Sequence, residues 1–437
     1  MTTNPGLPHA EFKAADTPAD LKPGRLLGRT VNYEQAVGKF GRKTVEHIAA
    51  HYNVGDELGY RAYVALREKA PKGSAKETFD EAVAQGIGAV PDPPAELVAL
   101  FEHVDQVPDW VDWDQLRRGS IAYWRAGKLV VMGLAYAAIG AGFRTYGGSR
   151  ELVMSRRLIE PDQVGRRLIE TLRWAANASK PDGMRRSSDG FRITMQVRWI
   201  HAAVRYHCSR DKHWDWDDWG ISVDNTDAVY TMGTLFAESV IRALDTVGVR
   251  LSAREREDVV ALWRYVGHVM GIPEDINFTD WADLQRKSAI IRMLEHPADD
   301  GCRTLLDSLV TYMCEAEIEG FQILPAFLDA RLTQEKKRTL TNGLMRAWAG
   351  DEICDQLAVP DNKLRYLVPA AKPFVTVYDK VTRKILKQDD EAKALRALRE
   401  FGVALTLHDG ETEVADPDDV VRGLARNSGS TGEILGR

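Results

Sequence analysis

The chain has few cysteines, no long apolar run and no surplus of positive charge, and each shortage removes a class of explanation. Its four cysteines, Cys208, Cys302, Cys314 and Cys354, are widely spaced and form no Cys-x-x-Cys pair, which argues against a disulfide framework and against a cysteine-based zinc site. A reducing compartment is the simplest setting. The net charge of −6 supplies no basic field for nucleic acid or an anionic membrane, so neither is expected as a partner. The most apolar stretch, LVVMGLAYAAIGAGF from Leu129 to Phe143, falls short of the roughly twenty residues that span a bilayer. It reads as a buried helix whose small residues permit close packing, and no integral membrane segment is expected. The N-terminal MTTNPGLPHAEFKAADTPADLKPGR has no charged segment leading into an apolar one, so no export signal is read and a cytoplasmic location is expected. Strand patterns are scarce too. Only RYLVPAAKPFVTVYD, Arg365 to Asp379, looks like strand material, and its prolines weaken even that.

What the chain does have is helix signals and enough apolar content, 44% of 437 residues, for a large core. In LSAREREDVVALWRYVGHVMGIPED, Ser252 and Glu255 form a capping box, Val259, Leu262, Val266 and Ile272 recur near helical spacing, and Gly271 with Pro273 make a stop. Pro161 sits in another helix's first turn, and Val164, Leu168, Thr171, Leu172 and Ala175 share one face after it. The architecture is therefore expected to be all-α, with no internal repeat. Composition divides it into a flexible arm over 1–30, a helical region with a Pro/Gly-rich connection over 31–95, a main body over 96–385 and a charged C-terminal region with a mobile tail over 386–437.

Histidine and its neighbours carry the chemistry. On GFRITMQVRWIHAAVRYH, Ile193, Val197, Ile200 and Val204 make a buried stripe with His201 inside it. Arg198 and Arg205, at i−3 and i+4 from His201, border that face and would approach an anion beside the ring. Spacing alone leaves two readings, a hydrogen-bonded core histidine or a single axial ligand to a haem iron with an arginine on a propionate. His47 and His51 have the i, i+4 spacing of a helical zinc pair, but HIAAH lacks the glutamate of HExxH and no third ligand is evident. YHCSRDKHWDWDDW reads as an aromatic-packed loop with a solvated acidic rim, and His268 reads as a core histidine or a second haem contact. Arg167 and Thr171 stand one turn apart and address one point, with Glu151 a short helix upstream. Either Glu151 and Arg167 are surface charges, or the three converge in a way whose burial would need catalysis or ligand orientation as its reason.

WVDWDQLRRGSIAYWRAGKLVVMGLAYAAIGAGF, GGSRELVMSRRL, GRRLIETLRW, VRWIHAAVRYH, WGISVDNTDAVYTMGTLFAESVIRAL and LWRYVGHVMGI, in this order over roughly residues 100–380, resemble the latex clearing protein family of rubber oxygenases. Their broader relatives include the fungal oxygenase that shortens the farnesyl side chain in mycophenolic acid biosynthesis. The resemblance implies a globin-like helical core holding one b-type haem (heme b), with His201 as the iron's proximal ligand. It implies Glu151 as the base that takes an allylic proton, with Arg167 holding it in place and Thr171 beside it. It implies O2 and a hydrophobic unsaturated small molecule or polymer as partners, and cleavage of the alkene to an aldehyde and a ketone. Two features depart from the family. Glu170 stands where rubber oxygenases can carry an iron-capping lysine, so an open or water-bound sixth site is expected. The export signal of secreted rubber oxygenases is not read here. The alternatives are a non-catalytic haem sensor or store, and a helical interaction protein with no cofactor.

Overall fold

Ser252 accepts a hydrogen bond from the Glu255 N–H at 3.2 Å while the Glu255 carboxylate accepts from the Ser252 N–H at 2.7 Å. This reciprocal cap starts helix Ala253–Val269, and Gly271, at φ +93°, ends the run in a conformation that costs glycine nothing. The helix lies along Trp113–Trp124, so closely that a Cβ on Gly119 would overlap the Asp258 carbonyl. Around this pair the computed structural model, which describes residues 26–69, 74–315 and 331–404, is all-α. Among the described residues the single pairing of extended backbone is the bridge between Thr30 and Glu295.

Pro161 opens helix Pro161–Ser179, where its missing N–H is one of the unbonded first-turn donors anyway. That helix packs on Asp189–Cys208, the helix of His201, which is covered on another side by Glu57–Lys69. The Leu129–Phe143 stretch is helical, as its composition requires, but not uniformly so. It runs as Lys128–Met132, a wide π-helical segment Gly133–Ile139, and Gly140–Gly142. A second π segment, Tyr230–Ser239, lies between Asn225–Val229 and Val240–Val247. These two π segments pack against each other, and such widened turns are frequent at functional sites.

One large core cluster runs from Ala36 to Phe401, with two smaller clusters beside it, around Ile200 and Val204 and around Tyr52. Leu27 and Arg29 are fully buried, so the arm read over 1–30 is anchored by its last residues; residues 1–25 lie outside the described residues. The connection near 71–95 contains helix Ala75–Gln85, whose Phe79, Ala82 and Val83 are buried. Its prolines and glycines lie outside the helix interior, at 71–73 and 86–94, so they do not break it. Helix Asp390–Ala404 buries Ala394, Ala397 and Phe401, the last beside Trp124; the tail from 405 onward lies outside the described residues. The strand-like RYLVPAAKPFVTVYD is corrected to helix, Leu367–Lys380. Pro369 falls in the first turn, where no hydrogen bond is lost, and Pro373 is exposed. YHCSRDKHWDWDDW packs as expected, with Trp214 edge-on to Trp219 at 5.1 Å and all four cysteines free and buried.

Candidate active site

Helices Arg150–Ser155, Pro161–Ser179 and Asp189–Cys208 meet the two π segments around a cavity of about 300 Å³. Its walls are mostly apolar. Ala138 and Phe143 come from the small-residue stretch, Met232 and Phe236 from the second π segment, and Ile200 and Val204 from the His201 stripe. Polar groups interrupt this surface, and such groups orient a ligand that is otherwise held by shape.

His201 lines this cavity. Its ring makes no hydrogen bond among the described residues, whereas the large majority of buried polar groups find a partner. Burial, then the cations of Arg205 and Arg167, push its pKa down to about 3, with Asp56 opposing weakly. The imidazole is therefore neutral across the physiological range, with a nitrogen lone pair to offer to a metal.

Glu151, Arg167 and Thr171 line the same cavity, so the convergence suggested by their spacing exists. Glu151 is held differently from the expectation. Its Oε1 accepts from the Val223 N–H at 2.8 Å, and Arg167 sits instead 3.7 Å from Glu170. The Val223 that holds the carboxylate has a left-handed φ of +52°, a conformation costly for a β-branched residue. The other face of that peptide strap is tied by Arg205, whose Nη2 donates to the Val223 carbonyl at 2.7 Å and Nε to Ser222 at 3.2 Å. Thr171 Oγ1 donates to the Arg167 carbonyl at 3.0 Å.

Arg205 lines the cavity and Arg198 does not. Arg198 grips Asp56 with two bonds of 2.7 Å and the Val269 carbonyl with one of 3.0 Å. Those positions at i−3 and i+4 are equivalent by spacing, and a buried carboxylate on one side takes Arg198 away from any cavity ligand. Burial pushes the Asp56 carboxyl up, but Arg198 and Arg205 together hold it below the usual range. His268 is also absent from the cavity wall. Its Nδ1 lies 3.1 Å from Glu274 and its ring stacks on Tyr265. Glu170 does not line the cavity either; it is buried among Arg157, Arg166 and Arg167 at 3.6, 3.2 and 3.7 Å.

Three charged cavity residues escaped sequence reasoning: Asp56, Arg157 and Asp227. Asp227 is clasped by Arg29 at 2.9 and 2.8 Å, and the same guanidinium reaches Asp224 at 3.2 Å and Glu295 at 2.9 Å. Nothing near Arg29 in the chain announces these partners.

The family model described as "ER-bound oxygenase mpaB/B'/Rubber oxygenase, catalytic domain" matches residues 110–383, well over half of the chain. The chain belongs to this oxygenase family. It is similar to the rubber oxygenase of Streptomyces sp. (strain K30), with 25% identity over 339 residues that cover 75% of this chain and 77% of the relative. Its fold is similar to a solved structure titled "Structure of Latex Clearing Protein LCP in the closed state", with a TM-score of 0.55 and 18% identity over 80% of this chain and 91% of that one. Within this oxygenase, Glu151, Arg167, Thr171, His201 and Arg205 fall in the family segment, while Arg29 and Asp56 precede it.

Proposed function

We propose that the protein is a haem b-dependent oxygenase that uses O2 to cleave or oxidise the C=C bond of an isoprenoid or other lipophilic alkene, polyisoprene among them. The observation that carries this reading is His201, a neutral imidazole with no hydrogen-bond partner among the described residues, opening onto an apolar cavity. The residues present fit a haem. His201 would hold the iron, and Arg205, with Arg167 and Arg157 on the same walls, would face the anionic propionates. When bound, the haem supplies O2 activation.

The chain's own residues supply the rest. Among the described residues only Oε1 of Glu151 has a hydrogen-bond partner, Val223, so Oε2 is left to take an allylic proton and return it before product leaves. The apolar walls seat a chain-like alkene and exclude water. One alkene and one O2 give an aldehyde and a ketone, which balances without a further reductant in the net reaction.

Two readouts test this. The reduced and as-isolated visible spectra of the wild type should show a Soret band that His201→Ala weakens or abolishes. Glu151→Gln keeps an oxygen for the Val223 N–H and should retain the Soret band while lowering carbonyl formation from cis-polyisoprene or a short isoprenoid alkene by roughly 10²–10⁴-fold. A folded, haem-supplied wild type with no Soret band refutes the haem site. A Soret band with no alkene consumed points to the non-catalytic sensor or store.

A further inference from the structure

The histidine pair His47 and His51 lacks a third ligand in sequence, and the fold provides one. Helix Arg42–Ala50 ends between the two histidines, and the turn after helix Ala253–Val269 brings in Asp275. We propose that His47, His51 and Asp275 form a binding site for a borderline divalent cation of the zinc type, distinct from the cavity of His201.

Four observations carry this. One ligand atom from each of the three residues lies within 4.8 Å of the other two. Asp275 Oδ2 is 3.7 Å from Nε2 of both histidines. Two ligands about 2.1 Å from one tetrahedral zinc lie about 3.4 Å apart, so each Asp275–histidine pair is within a few tenths of an ångström of that spacing, and side-chain rotation within the 4.8 Å cluster would close the rest. The His51 tautomer suits coordination, because Nδ1 donates to the His47 carbonyl at 2.8 Å and Nε2 then presents its lone pair toward Asp275, the arrangement in which a ligand's far nitrogen is fixed by a backbone oxygen. The site is also accessible, with the side chains of His47 and Asp275 41% and 43% exposed and His51 10%. A buried ligand gives rigidity, and two exposed ones give a route for the ion and a position for water.

Two imidazoles and one carboxylate suit zinc, nickel or copper rather than calcium or magnesium, which want oxygen donors. The ion would replace the 3.0 Å contact of His47 Nε2 with the Asp275 carbonyl. It would fasten two segments that serve the cavity from outside. The histidine segment runs on to Asp56, and the Asp275 turn follows Met270 and Ile272, all three on the cavity wall. The site stands whether or not His201 binds haem.

The deciding experiment is equilibrium dialysis of the tag-free full-length protein against submillimolar Zn²⁺, with zinc and iron counted by elemental analysis, for the wild type, His47→Gln, Asp275→Asn and His201→Ala. The expected result is one zinc per chain in the wild type and in His201→Ala. Affinity should fall in His47→Gln and Asp275→Asn by at least the roughly tenfold that even a lost second partner of a ligand brings. Zinc should raise the melting temperature of the wild type and not of those two variants. No zinc bound by the wild type, or zinc bound equally by His47→Gln and Asp275→Asn, overturns the proposal and leaves the pair as a cap on the helix end. Loss of zinc in His201→Ala overturns it as well, by placing the ion in the cavity.

Discussion

Replacing Arg29 with methionine isolates the ion cluster behind the cavity. Arg29 is 1% exposed, Asp224 1% and Glu295 2%, and the one guanidinium serves them and Asp227 at 2.8–3.2 Å. Methionine fills much of the volume but leaves three carboxylates without a cation. Some donors persist, since Glu295 keeps the Gly147 N–H at 2.9 Å and Asp224 keeps the Asp227 N–H at 2.8 Å, so complete exposure to the Born penalty does not apply. Removing one partner of a buried pair costs about 3–5 kcal/mol. With an unfolding entropy of about 2.1 cal/mol/K per residue, a chain of this size should melt roughly 3–5 °C lower. The loss should depend on pH with a definite sign. Asp224 is already held well above the ordinary carboxylate range by burial and by the charge of Asp227, with Arg29 pulling the other way. Without Arg29 the folded-state pKa values rise further, and a carboxyl with a raised folded pKa stabilises the fold below its unfolded value and loses that contribution as pH rises through the folded value. The deficit of Arg29→Met against wild type should therefore be largest near neutral pH and shrink as pH falls toward about 4, the ordinary carboxylate range. Guanidinium unfolding followed by tryptophan fluorescence at several pH values measures it. A deficit below about 1 kcal/mol at neutral pH, the worth of an exposed pair, or one that grows on acidification, would refute the reasoning.

Gly147→Ala should lower stability by at least about 1–3 kcal/mol, the usual cost of overpacking, because its Cβ would overlap the Arg29 guanidinium; thermal melting that matches wild type would contradict the cluster's placement. In cofactor-free protein, His201 with its pKa depressed to about 3 contributes stability above the unfolded value of about 6.5 that is lost as pH falls below it, by up to about 1.4 kcal/mol per pH unit; His201→Ala should flatten unfolding free energy against pH between those values by up to one proton, and an unchanged slope would count against a neutral buried ring. Glu170→Gln should cost about 1–3 kcal/mol by leaving Arg157 partly uncompensated, and the resting spectrum of wild type should show no second nitrogen ligand, since Glu170 lies off the cavity wall.

Much of the fold was legible because its signals are local. Caps at Ser252 and Pro161 and the stripe around His201 are matters of three- and four-residue spacing, and the helices formed where those spacings lie. The site was legible in part for the same reason. Glu151, Arg167, Thr171, His201 and Arg205 lie on helices whose apolar faces point inward, so their positions on those faces brought them to one cavity. The strand-like reading of 365–379 failed because β-branched residues and prolines describe preference, and packing of buried Val368 and the helix's neighbours outweighed it.

Tertiary structure decided everything that depends on which charge meets which. Arg198 and Arg205 are symmetric about His201 in sequence, and Asp56, 142 residues from Arg198, breaks the symmetry by taking one of them. Arg29 meets Glu295 across 266 residues, and Asp275 completes the histidine pair across 228 from His47. Local sequence determines helix, face and residue chemistry, because backbone hydrogen bonds and side-chain periodicity act over a few residues. Pairing of buried charges is determined only when the core closes, because the energy that selects each partner arises from the water lost at the moment the two are brought together.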